Sequence, residues 1–391
     1  MKQLILKPGH DRRARSGHPW IFSNEVSHLE GSPQPGDAVE VLAPRGEFLG
    51  VAYYNPRPLI TARILTHQQE SIDEVDFYRR RLQAALDYRE TIYGEMPSLR
   101  LVHGEGDNLP GLVVDRYGDV LAVQFLTLGT ECRRQIILQA LQELLEPAAI
   151  IARNDVAVRE LEGLERKIEL LHGELPADLV IREHGLRFRI DLMEGQKTGH
   201  FFDQKENHQA LRGRVEGRDV LDLFCYSGGW AVHAARFGAR SVLGIDISQK
   251  AIELSQENAR LNYKDNICHF ERADVFELLR QLGQSKQRFG TVILDPPAFV
   301  KSKKKLPEAV RGYLTINRRA MRLVEPGGYL FTCSCSYHIK RDVFLDTLRK
   351  AAVQAGRTVR LLEMRGQAYD HPVLLSCPET EYLKCAVLQV L

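Results

Sequence analysis

No two of the seven cysteines in this 391-residue chain form a C-x-x-C pair, and no cysteine–histidine spacing typical of zinc occurs. A disulfide framework is therefore not expected, and no metal is assigned. Runs of apolar residues approaching membrane-spanning length are missing too, and Met1–Pro8 lacks the apolar stretch of a secretion signal. The expected setting is the reducing cytoplasm, without membrane association. Strong charge of one sign is also absent. The formal net charge is +2, so no global field declares a nucleic-acid binder. There is no internal repeat and no low-complexity tract.

What charge there is lies in patches. Residues 1–20 carry five Lys/Arg against one acid, and residues 299–322 carry eight against one. Such runs are often only solvated faces, but two of them beside a nucleoside site favour phosphate contacts. Length and a 44% apolar content allow two or three domains with ample core. Residues 1–70 hold short β runs such as Asp37–Leu42, Glu47–Tyr54 and Leu59–Leu65, broken by Pro33-Gln-Pro-Gly and Asn55-Pro-Arg-Pro. Strands so short and close suggest a small β-barrel-like module. Residues 71–192 read as a linker helix through about residue 93, with Phe77, Leu82, Leu86 and Ile92 at helical spacing, then an α+β segment. Tyr117-Gly-Asp119 is its expected hairpin turn.

Residues 193–391 alternate strand and helix. Strands are expected near 219–224, 241–245, 267–271, 290–294, 328–334, 358–363 and 382–390, with helices between all but the last two. Repeated β–α units imply an α/β fold whose mostly parallel, seven-stranded sheet is covered on both faces, the last strand running antiparallel. Gly238 stands where a helix-ending left-handed residue belongs, and Ser248 where an N-cap belongs.

The chemistry gathers at the expected strand ends. Asp222 to Gly229, with Phe224 and Tyr226 between them, follows the first strand of that sheet, where open α/β sheets bind ligands. Gly228 and Gly229 let backbone approach a ligand, and the next helix offers free amides. Asp246 ends the second strand, where a ribose-binding acid is placed in dinucleotide folds; Asp274 follows the third. Either acid is equally an ordinary helix cap, but three acids at three consecutive strand ends argue against coincidence. The turn lacks the first glycine of G-x-G-x-x-G. That shifts the expected cofactor from a nicotinamide or flavin to S-adenosyl-L-methionine, which has no pyrophosphate to hold.

Asp295-Pro-Pro-Ala-Phe299 ends the fourth strand. Proline after the acid blocks the helical region for Asp295 and stiffens the turn. A rigid carboxylate beside an aromatic ring suits a planar base. Thr332-Cys-Ser-Cys-Ser-Tyr337 ends the fifth strand, with Cys335 nearer the ligand crevice than Cys333. A buried cysteine is more often a small hydrophobe than a nucleophile. Carbon 5 of a pyrimidine, however, needs activation by a thiolate added at carbon 6, and nitrogen methylation does not.

Together these residues resemble the class I methyltransferases of the bacterial RlmI type, which make 5-methylcytosine in large-subunit (23S) ribosomal RNA. The resemblance runs through Gly17–Phe22, Gly104–Arg116, Gly195–Gln204, Asp222–Gly229, Asp295–Val300 and Ser334–Ser336. It implies a Rossmann-like methyltransferase domain, an N-terminal PUA-like RNA-binding β-barrel and a middle α+β domain. It also implies that Gln196, Lys197, Thr198, Phe201 and Asp203 lie over the cofactor, that Cys335 is the nucleophile and that Asp295 binds the base. Substrate contacts are expected from Pro296, Pro297, Phe299, Lys301 and Lys303, and from Arg12, Arg13 and Arg15 beside Trp20 and Phe22, although those two rings are more often core. The expected partner is large-subunit ribosomal RNA, and a homodimer is allowed. The rivals are a guanine or adenine nitrogen methyltransferase of RNA and a non-catalytic, cofactor-holding RNA-binding or assembly factor.

Overall fold

The computed structural model describes residues 2–195, 198–299 and 305–391. They form two compact units, the first comprising residues 1–181, 190–202 and 369–380, the second 182–189, 203–368 and 381–391.

The first unit starts with six short strands: β1 (Gln3–Leu6), β2 (Trp20–Phe22), β3 (Val26–Glu30), β4 (Ala38–Leu42), β5 (Phe48–Tyr54) and β6 (Ile60–Thr66). They make one sheet in the order β2-β6-β5-β4-β1-β3, antiparallel except where β1 meets β4. Leu4, Leu6, Ile21, Val41 and Ile64 fill its apolar side. A second sheet, in the order β11-β10-β9-β8-β7, is built from β7 (Ser98–His103), β8 (Leu112–Tyr117), β9 (Val120–Phe125), β10 (Ala149–Arg153) and β11 (Ile168–Gly173). Tyr117 pairs with Val120, so Gly118-Asp119 is the two-residue hairpin turn that the sequence announces. The helix Val75–Tyr93 shares that sheet's core through Phe77, Tyr78, Leu82 and Ala85. Ile92 is exposed, and the buried stripe instead includes Arg89, whose guanidinium pairs with Asp107 and donates to the Arg100 carbonyl.

A hairpin, β12 (Leu179–Glu183) with β13 (Leu186–Ile190), precedes the large sheet; only its second strand is visible in the sequence pattern. The second unit is built on β14 (Asp219–Leu223), β15 (Ser241–Asp246), β16 (Cys268–Arg272), β17 (Phe289–Leu294), β18 (Val324–Ser334), β19 (Val359–Arg365) and β20 (Lys384–Val390), in the order β16-β15-β14-β17-β18-β20-β19. The first five are mutually parallel, and β20 runs antiparallel between β18 and β19. Every residue of β17 is buried, as a strand covered on both faces requires. Gly238 has a φ of +88°, and the Ser248 hydroxyl accepts from the Ala251 amide, so both helix-boundary readings hold. From β14 the chain moves outward to β15 on one side; from β17 it moves to β18 on the other. The β14/β17 border is the switch point at which such sheets open a crevice at their carboxyl ends.

Candidate functional site

Four segments meet at that border. Leu223 pairs with Leu294, which brings the turn after β14 beside the turn after β17. In the first turn Phe224 and Tyr226 both take left-handed backbone conformations, φ +66° and +45°, unusual for ring-bearing residues. Gly228 at +79° continues the turn, and a side chain there would press on Ser255 and Phe270. Gly229 leaves room for the His208 ring, whose Cε1 would lie 3.2 Å from an added Cβ. The helix Gly229–Arg236 then begins.

Asp222 is wholly buried, and neither carboxylate oxygen has a hydrogen-bond partner of good geometry. Burial pushes its carboxyl well above the usual range, and the neighbouring charge of Asp295 adds to this; the Ala231 amide acts in the other direction. A buried acid without a hydrogen-bond partner costs stability and calls for a reason beyond the fold. Asp246, half-buried, holds the loop: its Oδ2 accepts from the Tyr226 amide at 3.1 Å and its Oδ1 from the Ser248 amide at 2.9 Å. A carboxylate has about four acceptor directions, so these two bonds leave Asp246 with acceptor capacity to spare. Asp274 is exposed, and its Oδ1 caps the helix Val275–Leu282 through the Glu277 amide at 2.9 Å.

Asp295 directly follows β17. Its Oδ2 accepts from Gln204 Nε2 at 2.9 Å and from the Trp230 indole N–H at 3.1 Å, two donors that fix the direction of the carboxylate. Gln204 is fixed in turn, because its Oε1 accepts from Asn207 at 2.7 Å, and the Asn207 oxygen accepts from Arg365 at 3.0 Å. Pro296 is buried and Pro297 exposed. Phe299 packs on Tyr313, with ring centroids 4.6 Å apart.

β18 ends at Ser334, one residue before Cys335, so strand alternation does not decide where that side chain goes. The two cysteines nonetheless differ sharply. Cys333 is sealed in the sheet opposite Cys385, and burial raises its thiol well above the ordinary range. Cys335 is half-buried, with its sulfur 3.9 Å from the Pro296 carbonyl. It therefore stands beside the Asp-Pro-Pro turn, on the same edge of the sheet as Asp222. Lys384, at the start of β20, donates to the carbonyls of Ser336 at 2.8 Å and Tyr382 at 2.7 Å. Burial lowers this ammonium to about 8, while negative charge on Cys335 pulls it back up. By reciprocity, a protonated Lys384 favours a thiolate.

Comparison with known proteins sets this geometry in a family. A model described as S-adenosylmethionine-dependent methyltransferase matches residues 99–368, and a PUA-like domain model matches residues 4–67. The chain belongs to the S-adenosylmethionine-dependent methyltransferases. A relative in Erwinia tasmaniensis, named ribosomal RNA large subunit methyltransferase I, is 42% identical over 386 residues, covering 98% of each chain. A relative of the same name in Aeromonas salmonicida is 39% identical over 390 residues, covering 99% of this chain and 98% of its own. Among solved structures, a protein of Streptococcus mutans assigned to the SAM-dependent methyltransferases superposes with a TM-score of 0.86 at 21% identity, over the full length of both chains. Another, solved with S-adenosylhomocysteine, gives 0.87 at 20% identity, again over both full lengths. These two share the fold.

The remaining expected positions of this methyltransferase are distributed as follows. Asp203 lies in the second unit and accepts from the Tyr382 hydroxyl at 2.6 Å. Thr198 and Phe201 belong to the first unit, where Thr198 is buried, its hydroxyl donating to Asp115 and its carbonyl accepting from Tyr117 at 3.2 Å. Gln196, Lys197, Lys301 and Lys303 lie outside the described residues. Arg12 is exposed; Arg13 lies 4.8 Å from the Phe22 ring; Arg15 is engaged by Asp11 and Glu47. Trp20 and Phe22 are half-buried, neither core nor open platform, and the Trp20 indole donates to Glu105 at 2.7 Å.

Sequence reasoning missed Gln204, Trp230 and Lys384. Gln204 closes one motif it had singled out and Trp230 directly follows another, while Lys384 is a cation set among the apolar residues of the expected strand 382–390, which was the available signal. No helix among the described residues is long and apolar enough to cross a membrane. Among the described residues, two groups bring ligand-capable atoms within 4.8 Å: His18 with Cys377 and the half-buried Glu379, and the buried Glu183, His208 and His233. Both are internally hydrogen-bonded. His18 Nδ1 accepts from the Trp20 amide, which leaves its Nε2 proton for Glu379 at 3.0 Å, and His208 Nδ1 meets Glu183 at 2.8 Å. Burial depresses His233 to about 3, so that ring is neutral.

Proposed function

We propose that this methyltransferase forms 5-methylcytosine in large-subunit ribosomal RNA through a covalent bond from Cys335 to carbon 6 of the base. The observation that carries the reading is the half-buried Cys335 sulfur beside the Asp295-Pro296 turn, on the sheet edge that holds the orphaned Asp222. The names of the relatives supply the class of RNA.

The residues fit the cofactor. S-adenosylmethionine supplies a methyl group on a sulfonium, together with amine and hydroxyl donors. Asp222 offers an unused buried carboxylate for a cationic or donor group, Asp246 an acceptor for ribose, and the Gly228-Gly229 turn a close backbone approach. The chain's own residues then do the following. Lys384 favours the thiolate, and Cys335 forms a C–S bond at carbon 6. Asp295, aimed by Gln204 and Trp230, holds the N3/N4 edge, and Phe299 lies against one face of the ring. Carbon 5 gains the nucleophilic electron pair and takes the methyl. A base removes the proton from carbon 5, and the electrons expel the thiolate. The PUA-like region, through Arg12 and Arg13, and the lysines after Phe299 hold phosphates.

Incubation with labelled cofactor and 23S ribosomal RNA, followed by nucleoside analysis, tests the reading. Labelled 5-methylcytidine is the expected product. Label in a methylguanosine or methyladenosine overturns it.

Two substitutions probe the supporting charges. Asp222→Asn should weaken cofactor binding by about tenfold or more, the cost of one charge-assisted bond. Because the folded carboxyl sits above its unfolded value, its contribution to stability is full below about pH 4 and is lost as pH rises toward the folded value. Asn carries no such liability. The melting temperature of Asp222→Asn should therefore gain on wild type between pH 5 and pH 7.5, and a gap that does not change with pH counts against the assignment. Lys384→Met, made in a Cys132→Ser background to remove an exposed thiol, should slow alkylation of Cys335 at pH 7 by about tenfold. An unchanged alkylation rate removes Lys384 from the chemistry.

A further inference from the structure

The second unit carries a basic groove at the opposite end of its sheet from the site just described. The helices that follow β14 and β15 start at the carboxyl edge and run back, so their last residues reach the other edge. Gly229–Arg236 spans about 12 Å and Gln249–Leu261 about 20 Å at 1.5 Å per residue. At that edge an open groove of about 600 Å³ is lined by Arg187, Arg212, Arg236 and Lys264, with Phe237 and Tyr263 between them.

Arg236 stands in the last turn of its helix and Lys264 just beyond the next one, where cations answer the negative helix end. That accounts for two of the four. It does not account for Arg187, which comes from β13, or for Arg212, which follows the segment Lys205–Gln209. None of the four has a carboxylate partner among the described residues. Arg212 lies over the Phe237 ring, 5.0 Å from its centroid, and is itself exposed. The fork of Arg236 lies over Gly185, where a Cβ would come within 3.5 Å of it. Arg187 is positioned by donating to the Leu261 carbonyl. Tyr263 is 81% exposed in a left-handed backbone conformation that turns its ring away from the core. Unpaired guanidinium forks around an exposed ring match a sugar–phosphate backbone with an unstacked base.

We propose that this groove is a second docking site for the RNA phosphate backbone, engaging a segment of the substrate remote from the methylated base. The proposal rests on the RNA-methyltransferase reading. It makes the enzyme grip its RNA at two ends of one domain, so that only a long or folded RNA engages both.

The test uses the full chain carrying Arg212→Gln with Arg236→Gln, and separately Tyr263→Ala. These are exposed residues outside the cofactor and base site, and melting temperatures check that folding is intact. Affinity for 23S ribosomal RNA is measured across a salt series, alongside methyl transfer and cofactor binding. The double variant should bind RNA about tenfold more weakly near physiological salt. Its log–log salt slope should be lower by about 1.4 to 1.8, two phosphate contacts' worth. Tyr263→Ala should lose about fivefold or more. In both, KM for RNA should rise in step with the lost affinity while kcat and cofactor affinity hold. Unchanged RNA affinity and salt slope, in protein that still methylates, overturn the groove and leave the function standing. Wild-type protein that methylates no RNA overturns the function, whatever the groove variants do.

Discussion

Cys335→Ala is expected to lower methyl transfer to ribosomal RNA by about a thousandfold or more while leaving cofactor affinity unchanged. The sulfur is half-buried, 3.9 Å from the Pro296 carbonyl and beyond the end of β18, so its removal opens no core cavity. A loss of activity would then report chemistry rather than folding. RNA containing 5-fluorocytidine sharpens the test, since a fluorine at carbon 5 cannot leave as a proton does. Wild type should form a protein–RNA adduct that survives denaturation, and Cys335→Ala should form none. Activity retained by the variant would assign the transfer to a nitrogen atom, which needs no thiolate. Cys333→Ala serves as the contrast. That thiol is sealed against Cys385 within the sheet, so its loss should cost stability and spare the reaction.

The second large effect is expected at Asp295. Asp295→Asn should reduce kcat by about a hundredfold. The same oxygen serves Gln204 and the Trp230 indole, and an amide oxygen is a weaker acceptor for both, so a stability loss of about 1 to 2 kcal/mol should accompany it. Removing that charge also relieves the neighbouring Asp222. The melting temperature of Asp295→Asn should hence fall by less than the broken hydrogen bonds alone predict. A kcat within a few-fold of wild type would show that the carboxylate only props the turn.

Much of this site is legible in the sequence because it lies at strand ends, where local pattern and function coincide. The continuous apolar run of β17 followed by Asp-Pro-Pro marks both a buried strand and its abrupt stop. The alternation of strand and helix after residue 193 places Asp222, Asp246 and Asp274 at successive ends of one sheet. What pattern does not reveal is how distant segments meet. Gln204 and Trp230 converge on one oxygen of Asp295 from 91 and 65 residues away. Lys384 reaches the Cys335 loop only because β20 inserts between β18 and β19, a pairing set by tertiary packing. The same limit explains Arg89. Apolar spacing identifies its helix, but only the fold shows a buried guanidinium completing the stripe against Asp107. The strand β12 escaped notice because Leu179-Val-Ile-Arg-Glu183 groups its apolar residues together, whereas Leu186-Arg-Phe-Arg-Ile190 in β13 alternates with a period of two.

The unequal burial of the seven thiols has a consequence for the enzyme in an oxidising medium. Five of them, at 225, 268, 333, 377 and 385, are buried, Cys132 is exposed, and Cys335 is half-buried. Peroxide entering from solvent thus meets Cys132 and Cys335 before any other thiol, and a thiolate reacts faster than a thiol. On the proposed mechanism, conversion of Cys335 to a sulfenic acid should silence methylation without unfolding the protein, and a reductant such as dithiothreitol should restore it.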